Sequence, residues 1–325
     1  MRVLVTGGAG YIGSHAVREL LRAGHTVSVL DNLSTGHRAA VDPKAQFIEG
    51  DTSNARLVVE TLRAQRIEAV LHFAAFIEVG ESVKDPDKYY RNNFSASLVL
   101  LAAMREAGVK KIVFSSTAAV YGNPAEIPIR EESPRQPINP YGRSKMMTEM
   151  AIEDGSAAYG IGYAILRYFN VAGASPDGTI GEAHDPESHL IPRVLMAARD
   201  GKPVGIFGTD YKTPDGTCVR DYVHVIDLVN AHILALEKMT EGKGAIYNLG
   251  SENGFSVREV IEACRAATGL NIEADVHQRR TGDPDVLVAS SARLRDLGWK
   301  PQYTDLKAII SHAWNWHQKH PKGYK

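Results

Sequence analysis

The first apolar run, Val3-Leu4-Val5, is short and mostly β-branched, and it reads as a strand buried on both faces. Glycines interrupt it at once, in Thr6-Gly7-Gly8-Ala9-Gly10-Tyr11-Ile12-Gly13, and from Ile12 the apolar positions change period. Ile12, Ala16, Leu20 and Leu21 recur at helical spacing until Gly24. A second strand over 26–30 stops at Asp31, and further strands are expected at 46–49, 69–73 and 111–115 with helical stretches between them. Strand and helix in strict alternation predict an α/β fold, a doubly wound parallel sheet with helices on both faces. Asp85-Pro86 has the form of an N-cap and first helical position, opening one long helix that carries Asn92 and ends near Gly108; a second should begin near Pro140. After about residue 170 the alternation becomes irregular. Helices are expected around 191–199 and 225–238, and a third behind the capping box Ser256-x-x-Glu259. Strands at 163–166 and 245–248 should still join the first sheet. The chain therefore divides into residues 1–170, a dinucleotide-binding domain to whose sheet the chain later returns, and 171–325, a smaller mixed α/β domain for substrate.

The glycines satisfy G-x-G-x-x-G at Gly8, Gly10 and Gly13 and G-x-x-G-x-x-G at Gly7, Gly10 and Gly13. Small residues there let the backbone approach a pyrophosphate, and the helix that follows presents free N–H groups and a partial positive charge. Asp31, roughly 20 residues further on at the end of the second strand, is placed to accept ribose hydroxyls and would repel a 2′-phosphate, which favours NAD over NADP. Asp51, just beyond the third strand, suits either an adenine edge or the N-cap of the next helix. Ser115-Ser116-Thr117 closes the fifth strand, where its hydroxyls either reach a substrate or cap the strand end as an ST-turn. Tyr141-Gly142-Arg143-Ser144-Lys145 sets a phenol and an ammonium one helical turn apart on one face. A cation beside the phenol should favour the phenolate and let the pair move protons.

Composition narrows the class. A formal net charge of -1, 44% hydrophobic and 23% charged residues describe a soluble globular protein and exclude a generally basic nucleic-acid binder. Cys218 and Cys264 match neither a disulfide framework nor zinc-ligand spacing, and a reducing compartment follows. The 12 histidines include no HExxH and no Cys/His cluster, so no metal is expected; His184 reads as a loop residue, His189 as one lining a pocket, and His224 as structural. No stretch reaches the length of a membrane span and the first apolar run is too short for a signal segment, so the protein is expected in the cytoplasm.

The glycine signature, the hydroxyl residues ending strand five and Tyr141-x-x-x-Lys145 together resemble the extended short-chain dehydrogenase/reductase superfamily. Within it, 6–15, Val79-Gly80-Glu81-Ser82, 114–122, 139–145, 167–170 and 220–224 are similar to the UDP-glucose 4-epimerase family. The resemblance implies a Rossmann fold and an NAD-dependent isomerase acting on UDP-galactose and UDP-glucose. It implies that Gly7, Gly10, Tyr11, Ile12 and Gly13 hold the pyrophosphate, that Asp31 and Asn32 hold the adenosine ribose, and that Asp51, Phe73, Ala74, Asn92, Ser115 and Lys145 complete the cofactor site. Tyr141 would be the base on the sugar 4-hydroxyl, Thr117 its hydrogen-bonding partner, and Asn170, His189, Leu190, Phe207, Arg220, Arg280 and Asp283 would line the nucleotide-sugar site. Two separated arginines suit a diphosphate by charge-assisted hydrogen bonds. Related dehydratases carry an Asp-Glu pair just after the strand-five threonine; here Ala118 and Ala119 stand there, which leaves elimination without its acid. UDP-uronate epimerisation or a non-catalytic NAD-binding scaffold are the rival readings. Two positions depart from the family pattern: Ile77, where some members have lysine, and Leu287, where an aromatic closes the pocket beside the sugar C2 substituent. Leucine should leave room for an N-acetyl group. The two long helices are expected to pair across a two-fold axis as the four-helix bundle of a homodimer.

Overall fold

The computed structural model describes residues 1–279 and 284–325. Among the described residues the largest sheet has seven strands, in the order Gly244–Leu249, Gly162–Tyr168, Lys111–Thr117, Ala69–His72, Arg2–Thr6, Thr26–Asp31 and Gln46–Glu49, and every pairing is parallel. Side-chain alternation within each strand decides what covers each face. Val3 and Val5 point to one side, into a core shared with Ala16, Val17 and Leu20 of helix Tyr11–Arg22 and with Leu228, Val229 and Leu236 of helix Val225–Lys238. Leu4 points to the other, where Val70, Ile112 and Ile165 meet Val58 and Leu62 of helix Ala55–Ala64, Leu100 and Met104 of Ala96–Ala107, and Ile152 of Pro140–Tyr159. Each of these fully buried aliphatic side chains contributes about 1.5–3 kcal/mol, which is why apolar residues run without a break along the strands.

The strand order reverses beside Arg2–Thr6, whose neighbours are Thr26–Asp31 and Ala69–His72. Connections leave the sheet in opposite directions at that point and open a crevice at the strands' carboxyl ends. The strands expected at 163–166 and 245–248 lie in this sheet, so the chain does return to it after residue 170. Later segments also form a second layer. Strand Val219–His224 pairs with Asn170–Ala172, Gly254–Ser256 and Val286–Leu287, while Val204–Phe207 pairs with Ala274–His277. Helices Leu190–Asp200, Val257–Thr268 and Leu306–Lys319 pack there around Leu195, Val260 and Ile310. The Ser256/Glu259 capping box is present with both of its hydrogen bonds.

One expected helix is not continuous. Asp85 caps Pro86–Tyr89 as the Asp-Pro pair implies, and Gly108 at φ +77 closes Ala96–Ala107, but a π turn at Tyr90–Ser95 lies between them. Asn93 explains the break. Its amide pairs in both directions with the main chain of Phe76, at 2.9 Å each, and its carbonyl accepts the hydroxyls of Ser97 and Thr148. These tertiary partners widen the turn locally, as π-bulges require.

Candidate active site

The glycine turn and its neighbours form a cleft lined by Gly7, Gly10, Asp31, Asn32, Asp51, Phe73, Ala74 and Asn92 among others. Gly7 has φ +72, and a Cβ on it would come within 2.6 Å of the Ala74 nitrogen; a Cβ on Gly13 would stand 2.0 Å from the Gly7 carbonyl oxygen. Helix Tyr11–Arg22 starts on Gly10 with no side-chain cap and no acidic residue in its first turn, so its N–H groups and partial positive charge remain open to an anion. These features fit a dinucleotide pyrophosphate. The Asp31 carboxylate shapes the cleft by accepting the main-chain N–H of Ala9 (2.9 Å) and of Leu33 (2.8 Å). Asp51 accepts Asn32 Nδ2 and the Ser53 N–H, each at 2.7 Å. Burial raises its carboxyl, and hydrogen bonds from Ser53 and Asn32 outweigh that and hold it below the usual range. The alternative role of Asp51 as a helix cap is overturned: Asn54 caps Ala55–Ala64.

The Tyr11 side chain reaches away from the glycine turn. Its hydroxyl donates to the Gly173 carbonyl at 2.7 Å, so the phenol ties the glycine turn to the second layer and leaves only the main chain to the pyrophosphate cradle. Ile12 packs against the core on the helix side of the sheet.

Thr117, Tyr141 and Lys145 come together at the carboxyl end of Lys111–Thr117 and are 8%, 8% and 3% exposed. Asn139 caps helix Pro140–Tyr159 by accepting the Gly142 N–H at 2.8 Å, and Pro140 takes the first helical position. A Cβ on Gly142 would come within 2.5 Å of the Ala119 carbonyl oxygen, so a glycine lets this helix start close against the strand end. Thr117 caps the strand end, its oxygen accepting the Ala119 N–H at 3.1 Å, and its side chain lies close enough to Tyr141 to pull that phenol down.

The electrostatics correct the simple Tyr/Lys picture. Burial pushes Tyr141 up to about 12, Thr117 pulls it down and Glu78 pushes it up. The Lys145 ammonium donates instead to the Ser115 carbonyl at 2.8 Å and lies 5.0 Å from the Phe114 ring centre; burial lowers it to about 7, with Glu149 acting the other way. One helical turn sets the two side chains on one face but does not aim one at the other. The Ser115 hydroxyl pairs with the phenol of Tyr168, and Ser116 with Glu149, which also holds the buried Arg167.

The expected sugar-site residues lie mainly in the second layer. Arg220 and Leu287 are register partners on adjacent strands, and Leu287 also packs with Val120, Tyr121 and Phe169. Asn170 donates to the Asp221 carbonyl at 3.2 Å, Phe207 stacks on His277 with 5.2 Å between ring centres, and Leu190 begins helix Leu190–Asp200. Arg280 and Asp283 lie outside the described residues. His224 is structural, capping helix Val225–Lys238 through the Ile226 N–H.

His189 is not simply a pocket-lining residue. Its Nδ1 is 2.9 Å from Glu182 and 3.2 Å from Glu187, and His184 Nδ1 is 3.1 Å from the same Glu182 oxygen and 3.6 Å from Glu187. The four side chains form the one such His/Glu group among the described residues. Glu182 and Glu187 were missed in the sequence because the spacing, in an irregular loop, matches no regular helical or zinc-finger pattern. Ser34, Thr35 and Gly36, which also line the cleft, were missed for the same want of a local signal.

The family model described as the NAD dependent epimerase/dehydratase family matches residues 3–250. The chain belongs to that family. It is similar to the UDP-glucose 4-epimerase of Lactobacillus helveticus, 55% identical over 100% of this chain and 99% of the relative. A crystal structure of a UDP-glucose 4-epimerase superposes with a TM-score of 0.97 at 49% identity, covering 100% of both chains. The Bifidobacterium longum UDP-glucose 4-epimerase, solved in complex with NAD+ and UDP, superposes with a TM-score of 0.95 at 39% identity over 99% of this chain and 100% of the other.

Proposed function

We propose that this protein is an NAD-dependent epimerase that interconverts UDP-galactose and UDP-glucose at C4 through a 4-keto sugar. The observation that carries the reading is the convergence of Thr117, Tyr141 and Lys145 across one intervening strand from the glycine cradle. NAD, when bound, supplies the acceptor and then the donor of one hydride, and a positive ring whose charge favours the phenolate. Gly7, Gly10 and Gly13 hold its pyrophosphate, Asp31 and Asn32 its adenosine ribose, and Asp51, Phe73, Ala74, Asn92 and Ser115 complete the cleft. Lys145, anchored on the Ser115 carbonyl, fixes the nicotinamide ribose. Tyr141, as a phenolate that the Thr117 hydroxyl helps to stabilise, takes the proton from the sugar 4-hydroxyl and becomes the neutral phenol. Loss of that proton from O4 and of hydride from C4 leaves the ketone. Turning the sugar within its pocket exposes the other face, and Tyr141 returns the proton to O4 as hydride returns to C4. Arg220 holds the diphosphate during the turn, with Asn170, Leu190 and Phe207 around the nucleotide sugar. Ala118 and Ala119 offer no acid to expel a hydroxyl, which supports epimerisation over elimination.

Leu287 leaves space beside the sugar C2 substituent, and the protein also accepts UDP-N-acetylglucosamine and UDP-N-acetylgalactosamine. The protein works in the cytoplasm as a homodimer built on helices Ala96–Ala107 and Pro140–Tyr159; Leu98 and Met150, exposed at 41% and 47%, support that face. No helix among the described residues is long and apolar enough to cross a membrane. Purified protein incubated with UDP-galactose should yield UDP-glucose by chromatography without added cofactor. Tyr141→Phe should lower turnover by about 10²–10⁴-fold while leaving the fold intact, and near-normal turnover in that variant would refute the assignment.

A further inference from the structure

The segment from Gly181 to His189 is held in place by four separate parts of the fold. Gly181 lies beneath the Trp316 ring, where a Cβ would come within 2.3 Å of it, and the Glu182 carbonyl accepts the Trp316 indole N–H at 3.0 Å. The Ala183 carbonyl lies 2.8 Å from His37 Nε2, the Ser188 hydroxyl donates to Glu78 at 2.7 Å, and His189 begins helix Leu190–Asp200. This framework turns Glu182, His184, Glu187 and His189 inward, so that one donor atom from each lies within 4.8 Å of all the others.

Both carboxylates are only 5% exposed, and among the described residues their ion-pair partners are the two histidines and no lysine or arginine. Two buried negative charges require two positive ones. Two imidazolium rings or one divalent cation would both provide them, and the hydrogen-bond geometry separates the cases. Each Nδ1 faces an oxygen of both glutamates, at 3.1 and 3.6 Å for His184 and 2.9 and 3.2 Å for His189. His189 Nδ1 has hydrogen-bond geometry with Glu187 alone, at 3.2 Å, and His184 Nδ1 is buried with no aligned hydrogen bond at all. A buried nitrogen without a hydrogen bond, set among two carboxylates and a second imidazole, suits a cation. Tetrahedral coordination with bonds near 2.0–2.1 Å sets ligand atoms about 3.3–3.4 Å apart, so the four side chains, with one donor atom each within 4.8 Å of the others, need only a small contraction to close on an ion.

We propose that Glu182, His184, Glu187 and His189 form a binding site for one divalent transition-metal ion, with zinc the preferred occupant. Two imidazole nitrogens and two carboxylate oxygens are a borderline donor set, unsuited to magnesium or calcium, which take oxygen ligands. Four protein ligands close the coordination sphere, so the ion is structural and takes no part in the chemistry at Tyr141. It fixes the segment that leads into helix Leu190–Asp200 and that reaches Glu78, beside the catalytic tyrosine, through Ser188.

The test is metal analysis of untagged protein, followed by zinc titration of chelator-stripped protein with a competing chromogenic chelator. One zinc per chain is expected. Glu187→Gln and His184→Gln should each weaken binding by at least about 100-fold, the upper end of what losing a mere outer-shell partner costs, with far-ultraviolet circular dichroism confirming the fold. Cys218→Ser and Cys264→Ser should bind as the parent does. Cobalt in place of zinc should give the intense visible absorption of a four-coordinate ion, a readout that needs no variant to fold. Substoichiometric zinc, a weak six-coordinate cobalt spectrum, or unchanged affinity in both ligand variants would overturn the site and leave a pair of imidazolium–carboxylate bridges.

Discussion

Lys145 makes the stability of the folded chain depend on pH in a way that can be isolated. It is 3% exposed, and burial lowers it from an ordinary value of 10.5 to about 7. Between those values the unfolded chain holds a proton that the folded chain has released, so stability rises with pH across the window and is flat below it. For a shift of this size the gain from pH 7 to pH 10 is about 3–4 kcal/mol, since each unit of differential titration is worth about 1.4 kcal/mol. Lys145→Met keeps the length of the side chain and removes the titration, while every other ionising group is common to both proteins and cancels in the difference. Urea unfolding of the cofactor-stripped parent and variant at pH 7, 8, 9 and 10 should therefore show the parent gaining about 3–4 kcal/mol on the variant as pH rises. A gap constant across that range, or one that moves the other way, would show that Lys145 stays charged when buried and that the Ser115 carbonyl and the Phe114 face compensate for its desolvation.

Gly13→Ala places a Cβ 2.0 Å from the Gly7 carbonyl oxygen and 2.8 Å from the Gly8 Cα, main-chain atoms that cannot swing aside. The variant should lose at least about 3 kcal/mol of stability and its cofactor, seen as a lower Tm and the absence of bound nucleotide after acid extraction. Glu149→Gln leaves the Arg167 guanidinium, 1% exposed, without its carboxylate; a loss of about 3–5 kcal/mol is expected by urea unfolding. Leu287→Tyr should abolish conversion of UDP-N-acetylgalactosamine while keeping UDP-galactose turnover within about a factor of a few, measured by chromatography of the nucleotide sugars.

The sequence by itself determined everything that depends on near neighbours in the chain. Val3-Leu4-Val5, the glycine turn and the Ile12-to-Leu21 stripe specify strand, turn and helix, because period and steric freedom are local properties. The helix starts near Pro140 and at Ser256/Glu259 were legible for the same reason, and Asp85-Pro86 correctly opened its helix. Tertiary structure decided what depends on residues distant in the chain. Asn93, engaged by Phe76 and Thr148, turned one long helix into two joined by a π turn. The Gly173 carbonyl, 162 residues from Tyr11, fixes where that phenol points. The charge state of the Tyr/Lys pair was also settled in space. Spacing put both residues on one face, but Phe114, Ser115 and the surrounding burial fix where the ammonium points and how strongly each group resists ionising. Glu182, His184, Glu187 and His189 are close in sequence, yet only Trp316, His37 and Glu78 fold their segment so that the four side chains converge. An irregular segment has no period of its own, and its geometry is imposed by whatever packs against it.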